Sequence, residues 1–300
     1  MPVGKSIRIF LADATVAGIR YAELVNWTGQ AVACPRSRLA DLNFWPEAAK
    51  PGVYFLFEAR LGDSKPLAYI GESENVAERL TSHDRAKEFW NEAVIFTSKD
   101  ENITKAHVKF LEASLVSSAR NADRYQLENL NNPAQSSLPR ADRDAMAEFV
   151  DHLRMVLGTL GYPILEPLLK PSGVLIAGLG GVPISARLVD TIELFFKVNG
   201  LSASGMVTDE GFVLKKGSQI SIANTDSAPA KVMKIKDQLK SDNRLLQVGD
   251  SFTLQEDFLV SSSSYAAVLV AGTSRSGPQS WLTKDGRTLK SIEDAKLALI

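Results

Sequence analysis

The first half of the chain carries two tyrosines, an arginine, a histidine and a glutamate whose types fit one reaction. Hydrolysis of a phosphodiester needs a group that accepts a proton from water, a cation that balances the phosphate charge and, in many enzymes, a metal ion. Tyr54 and Tyr69 offer phenol oxygens, and Arg79 and His83 stand four residues apart, which predicts that they share one face of a helix. Glu112 offers a hard oxygen ligand of the kind that Mg²⁺ and Mn²⁺ prefer. Together these residues offer the three kinds of group that such a reaction needs.

Short strands and amphipathic helices are predicted to position these side chains. The runs GVYFLFEA, from Gly52, and LAYIG, from Leu67, are rich in β-branched and aromatic residues, and a polar turn separates them. This pattern predicts an antiparallel hairpin, which brings the two tyrosines onto neighbouring strands. A helix is predicted from Asn75, a third strand over AVIFTS and a second helix over 104–120, where apolar residues recur at helical spacing. Glu112 borders the apolar stripe of that second helix.

The ordered set of motifs resembles the GIY-YIG nuclease family. The two motifs that name the family are present as Gly52-Val53-Tyr54 and Tyr69-Ile70-Gly71. Arg79 and His83 follow in ENVAERLTSH, and Glu112 follows in FLEASLV. Each tripeptide alone is weakly specific, whereas the whole set in this order and spacing is far more specific.

The resemblance covers about residues 50–135 and implies a fold, an activity and a role for each residue. It implies an α+β domain with a small antiparallel sheet flanked by helices, acting as an endonuclease on DNA with a single Mg²⁺ or Mn²⁺ ion. Tyr54 would be the general base, with Tyr69 assisting it. Arg79 would stabilise the phosphate, and His83 would position Tyr54 or carry a proton. Glu112 would hold the ion.

Further residues are candidates for contacting the substrate: Gly71, Lys105, His107, Lys109, Asn129 and Asn131. The family adds an asparagine after the helix that carries the glutamate, and both Asn129 and Asn131 fit that place. A tyrosine with an ordinary pKa of about 10 is a poor base at neutral pH, so we expect Arg79 and the ion to lower the pKa of Tyr54. Glu72 stands where relatives carry a basic or amide residue. Its carboxylate would repel the substrate or help to bind the metal.

Composition shifts divide the chain into four segments. Residues 1–50 are predicted to be a strand-rich extension packed on a nuclease domain at 51–162, and the Pro- and Gly-rich segment 163–188 is predicted to be a linker. Residues 189–300 are predicted to form a second α+β domain. That last segment resembles an uncharacterised domain often found behind GIY-YIG nucleases, and binding of DNA or a partner and simple packing are both open for it.

Whole-chain features favour a cytoplasmic protein. The only cysteine is Cys34, which excludes an intramolecular disulfide and a cysteine-rich zinc site. The N-terminus lacks a signal-peptide pattern and no stretch approaches a membrane span, so no membrane association is expected. The formal net charge is −1, so DNA binding would have to come from local patches.

Two rival interpretations remain at this stage. Glu72 and the near-zero net charge suit a catalytically silent nucleic-acid-binding relative of the same fold. The wide apolar face predicted for a helix at 140–160 suits an interaction scaffold that dimerises through this helix. A homodimer is compatible with a nuclease as well, because one active site cuts one strand.

Overall fold

The computed structural model describes residues 4–59, 65–131, 133, 136–169 and 192–298. The chain divides into two compact units, one within Val3–Pro167 and one within Leu168–Ile300. Both units combine sheets with helices, so the fold class is α+β, as predicted.

A seven-stranded sheet organises the first unit, in the order β1-β2-β3-β6-β4-β5-β7. Its strands are β1 (Ile7–Leu11), β2 (Arg20–Leu24), β3 (Gly29–Pro35), β4 (Gly52–Phe57), β5 (Leu67–Ser73), β6 (Glu92–Ser98) and β7 (Gln126–Leu127). All neighbouring strands are antiparallel except β5 and β7, which are parallel. The N-terminal extension therefore belongs to the same sheet, since β3 pairs with β6 along its whole length.

Three α-helices cover the two faces of this sheet: α1 (Val76–Ala86), α2 (Lys105–Ala122) and α3 (Arg140–Thr159). One face packs Phe55, Ile70 and Phe96 against the apolar stripes of α2 and α3. The other face packs Tyr54 and Ile95 with side chains of α1 and of the segment before β4. That segment forms two 3-10 helices, Arg36–Phe44 and Pro46–Ala49.

Local signals set the ends of α1 and α2. The side chain of Asn75 accepts a hydrogen bond from the backbone N–H of Glu78 (3.3 Å), so Asn75 is the N-cap of α1. At the start of α2, the backbone N–H of Thr104 donates to Nδ1 of His107 (3.1 Å). The predicted stripe of α2 is buried throughout, at Val108, Leu111, Leu115 and Ala119.

The apolar face of α3 is buried inside the first unit. Its buried residues, which include Phe149 and Leu153, belong to the same core as the sheet. The interaction-scaffold hypothesis required this apolar face to be available for dimerisation. The face is instead buried against other residues of the same unit. Ile164 and Leu165 lie in the same core, so the start of the predicted linker is part of the first unit, and residues 170–188 lie outside the described residues.

The second unit contains two smaller sheets, ordered β14-β10-β9-β8 and β11-β13-β12. Its strands are β8 (Glu193–Val198), β9 (Leu201–Thr208), β10 (Gly211–Leu214), β11 (Gln219–Ser221), β12 (Leu245–Val248), β13 (Ser251–Leu254) and β14 (Phe258–Val260). Its helices are α4 (Ala230–Ser241), α5 (Ser263–Ala271), α6 (Gly277–Ser280) and α7 (Leu289–Leu297).

The helix α5 has a clear capping residue at each end. The side chain of Ser262 accepts a hydrogen bond from the N–H of Tyr265 (3.2 Å) and caps the start of this helix. Gly272 ends it with a left-handed backbone (φ 68°), where a side chain would be strained. The helix is buried from Ala266 to Ala271, so its sequence lacks the polar face that marks most helices.

Candidate functional site

Tyr54 and Tyr69 meet across the β4–β5 hairpin. In the antiparallel register Tyr54 faces Gly71, and Leu56 faces Tyr69, so the two tyrosines are diagonal neighbours on one face. Their ring centroids are 6.2 Å apart. The Tyr54 side chain is fully buried, and that of Tyr69 is partly exposed.

Gly71 makes this meeting possible. A Cβ atom at position 71 would stand 2.3 Å from Oη of Tyr54 and 2.9 Å from Cε1 of Tyr69. Such distances are far inside van der Waals contact, so any larger residue would displace both rings. The glycine of the second motif thus serves the tyrosines directly, as a wall of the site, rather than supplying a turn.

His83 completes the tyrosine cluster from α1. Its Nε2 lies 2.7 Å from Oη of Tyr54, and its ring centroid lies 5.2 Å from that of Tyr69. Burial, followed by the charges of Arg79 and Lys87, lowers the pKa of His83 to about 4. The ring is therefore neutral near pH 7, and Nε2 can accept the hydrogen bond that the Tyr54 hydroxyl donates.

Arg79 stands one helical turn before His83, close enough for its guanidinium to interact with the phenol groups of both Tyr54 and Tyr69. Arg79 acts on the pKa of Tyr54 in the expected, downward direction, but the net pKa of Tyr54 in the protein chain by itself is raised. Burial raises the pKa of Tyr54 above its ordinary value and Tyr69 adds to this rise, and the opposing effect of Arg79 is smaller. Tyr54 is therefore held firmly in its neutral form.

Glu112 lies on α2, and its charge raises the pKa of both Tyr54 and Tyr69. Burial, and after it the negative charge of Glu72, raises the pKa of Glu112 to about 7, while Arg79 and Lys109 act in the opposite direction. Glu72 lies on the same face of β5 as Ile70, because alternate residues of a strand share a face, and this is the face that α2 covers. Two carboxylates therefore neighbour each other on the face opposite to the one that carries Tyr54 and Tyr69, and Glu112 is near enough for its charge to act on both phenols.

A divalent ion fits this donor set. No hydrogen bond or ion pair from the described part of the chain reaches the carboxylate of Glu112, which is half-buried. An added positive charge would relieve the mutual repulsion with Glu72. Mg²⁺ usually keeps several waters and binds one or two carboxylates together with substrate phosphates, so a full protein cage is not required. Among the described residues no three His, Cys, Asp or Glu side chains form such a cage.

The other predicted contact residues fall into two groups. Lys109 and Asn131 are exposed to solvent, whereas three residues are engaged within the protein. Lys105 forms an ion pair with Glu74 (2.5 Å), so its charge is paired with a carboxylate of the same chain. His107 accepts at the start of α2, as described above.

Asn129 is joined to the backbone of β5 by two hydrogen bonds. Its Oδ1 accepts from the N–H of Ile70 (3.0 Å), and its Nδ2 donates to the carbonyl of Ile70 (2.7 Å). Of the two candidate asparagines, Asn129 is thus the one in contact with the second motif. Its contact positions the strand beside Gly71 and is not directed at a substrate.

Sequence reasoning missed one residue of the cluster. The ammonium group of Lys87 lies 4.5 Å from the centroid of the Tyr69 ring, and its charge contributes to the lowered pKa of His83. The sequence contained a signal for this residue, since Lys87 follows His83 by four residues, a spacing that predicts neighbouring side chains at the end of a helix.

Comparison with known proteins reaches the second unit. Residues 194–293 match a family model described as a domain of unknown function (DUF4357). No curated protein and no solved structure matches the chain at a significant level. None of the helices in the described ranges has the length and apolar character that crossing a membrane requires.

Proposed function

We propose that the first unit is a divalent-metal-dependent endonuclease of the GIY-YIG type that hydrolyses phosphodiester bonds of DNA. The observation that carries this proposal is the convergence of Tyr54, Tyr69, Arg79 and His83 in one contact cluster, with Glu112 beside them. These residues come from two strands and two helices, so their convergence is not a by-product of one amphipathic element.

The Tyr54–His83 hydrogen bond supports a role for Tyr54 in proton transfer. Because burial opposes a free phenolate, Tyr54 would pass its own proton to Nε2 of His83 while its Oη accepts a proton from the attacking water. The neutral state of His83 is the form that this step needs. The new P–O bond then forms as the bond to the leaving oxygen breaks.

Arg79 would balance the charge that develops in this step. Its guanidinium interacts with both phenols, and the residue is exposed to solvent, so it can also approach a phosphate oxygen. Glu112, with Glu72 next to it, would hold Mg²⁺ or Mn²⁺, which supplies Lewis-acid stabilisation of phosphate oxygens when bound.

The experiment is nicking of supercoiled plasmid by the full chain with Mg²⁺, with Mn²⁺ and with chelator. We expect metal-dependent nicking by the wild type. Tyr54→Phe removes the proton-transferring oxygen, and Glu112→Gln removes the anionic ligand, so each should slow nicking by about 10²–10⁴-fold. The matched controls are Tyr21→Phe on β2 and Glu148→Gln on α3, which lie outside the cluster and should nick like the wild type.

A catalytically silent DNA-binding protein is the second candidate, and the position of Glu72 favours it. A carboxylate beside Glu112 adds negative charge where a phosphate would have to approach. This candidate predicts salt-dependent DNA binding without nicking in either metal. Glu72→Gln separates the two candidates. It should strengthen DNA binding in a silent binder. In a nuclease that uses Glu72 with the metal, it should lower the rate of Mn²⁺-dependent nicking.

A further inference from the structure

The outer strand β1 is an apolar edge of the seven-stranded sheet. It pairs with β2 through all five of its residues, and its other edge pairs with no described strand. Ile9 is 44% exposed and Phe10 is 59% exposed, although both lie in regular strand structure. Exposed apolar edge strands are uncommon in monomers because they are templates for pairing with another chain.

Hydrogen bonds at the two ends of β1 show which backbone groups are directed outward. The N–H of Ala12 donates to the carbonyl of Ile19, and the N–H of Val25 donates to the carbonyl of Ser6. In an antiparallel pair the residues that exchange hydrogen bonds alternate along the strand. Even-numbered residues of β1 therefore face β2, and the N–H and C=O groups of Ile7, Ile9 and Leu11 point away from the sheet.

We propose that β1 pairs antiparallel with β1 of a second copy of this chain, around a two-fold axis at Ile9. The outward backbone groups of Ile9 in the two copies then bond to each other, and those of Ile7 bond to Leu11 of the other copy. The two sheets become one continuous sheet of twice the width. An isologous contact of this kind uses the same surface twice and closes after two copies.

Side chains on both faces of β1 suit this register. Ile7, Ile9 and Leu11 share one face, so the pairing forms a continuous apolar strip that covers Ile9. On the other face Arg8 lies opposite Phe10, where a guanidinium can contact an aromatic ring. A two-fold axis at Arg8 would place like charges opposite each other, and one at Phe10 would leave part of the strand without a partner.

Residues next to β1 add charge complementarity. The exposed Lys5 precedes the strand, and the turn after the strand carries Asp13, which also forms an ion pair with Arg38 of its own chain (2.7 Å). An axis at Ile9 brings the start of one copy's strand to the end of the other copy's strand. Lys5 of each copy therefore approaches the turn with Asp13 of the other. This proposal does not depend on nuclease activity.

Disulfide trapping tests both the partner and the register. Directly opposed residues that exchange hydrogen bonds have Cα atoms about 5.5 Å apart, within the range of a disulfide. Ile9→Cys should therefore give a cross-linked dimer under mild oxidation, and the native Cys34 is buried and does not interfere. Phe44→Cys is the control, because Phe44 is 84% exposed and lies outside β1. Phe10→Cys tests the register and should cross-link far less than Ile9→Cys.

Light scattering on the full chain gives the second readout. The wild type should be a dimer at micromolar concentration, and Ile9→Lys should raise the dimer dissociation constant at least about tenfold, because two lysines would face each other. Phe44→Lys should leave the dimer unchanged, and far-UV circular dichroism should show that both variants fold. A monomeric wild type, a dimer that survives Ile9→Lys, or equal cross-linking of Ile9→Cys and Phe44→Cys would overturn the proposal.

Discussion

Burial of the His83 ring near the charges of Arg79 and Lys87 makes the stability of the first unit depend on pH. The pKa of His83 is lowered to about 4 in the folded protein, against about 6.5 in an unfolded chain. Between these values the unfolded state binds more protons than the folded state. The stabilisation is fully present above about pH 6.5 and is lost as the pH falls towards 4, by up to about 3 kcal/mol.

Urea unfolding of the wild type and of His83→Asn at about pH 7 and about pH 4.5 measures this loss. Asparagine does not titrate, so the variant should lose less free energy of unfolding on acidification than the wild type does. Equal losses in the two proteins would show that His83 is not the neutral buried acceptor inferred from the geometry.

Gly71 leads to a prediction about space rather than charge. Gly71→Ala would push its Cβ against Tyr54 and Tyr69, and rigid surroundings make such overpacking cost about 1–3 kcal/mol. Because both phenols must shift, nicking should fall by a larger factor than the stability change alone explains. Thermal unfolding and plasmid nicking are measured on the same preparation.

Gly158 on α3 supplies the matched control. A Cβ there meets nothing within 4 Å, and alanine favours a helix by about 0.5–1 kcal/mol over glycine. Gly158→Ala should therefore stabilise the protein and leave nicking unchanged. If Gly71→Ala behaved in the same way, the close approach of Tyr54 to the second motif would be refuted.

At the scale of elements, the position of β5 depends on a side chain from outside the sheet ladder. Asn129→Ala removes both hydrogen bonds to Ile70, whose backbone groups would be left unpaired in a buried place. The expected loss is about 1–3 kcal/mol for each unsatisfied group. We expect slower nicking as well, because Tyr69 and Gly71 lie in β5 and would shift with it.

Asn131→Ala is the control for this prediction, since Asn131 is exposed and a surface substitution usually changes stability by less than about 0.5 kcal/mol. Urea unfolding distinguishes the two variants. The assignment of the positioning role to Asn129 fails if Asn131→Ala is the more destabilising of the two.

Elements with a local signature were predictable from the sequence. The start of α1 was predictable from its capping residue Asn75, and its side-chain geometry from the four-residue spacing of Arg79 and His83. The helix α2 was predictable from its apolar stripe. The helix α5 was not predictable, because an apolar run buried on all sides has no periodic contrast between a core face and a solvent face.

Properties of the site that arise from tertiary packing could not be predicted from the sequence either. The choice between Asn129 and Asn131 depends on which one reaches Ile70, a residue distant in the chain. The direction of the pKa change at Tyr54 depends on how completely α1 and the neighbouring strands bury it. Local patterns report neither quantity.

At the scale of the whole molecule, the chain joins two units with separate cores. The candidate nuclease site lies within one unit, and the family match lies within the other. With a formal net charge of −1, no overall attraction draws the chain to DNA, so contact would depend on local groups such as Arg79 and the exposed Lys109.

The order of strands in the first unit also governs how the chain can fold during its synthesis. The meander of β1, β2 and β3 leaves the ribosome first, yet its inner edge pairs with β6, which is made only after β4, β5 and α1. Until Ser98 has emerged, β3 and β4 have no strand to join them. Both edges can therefore be filled only after the tyrosine motifs have been translated, because β6 pairs with β3 and with β4 alike.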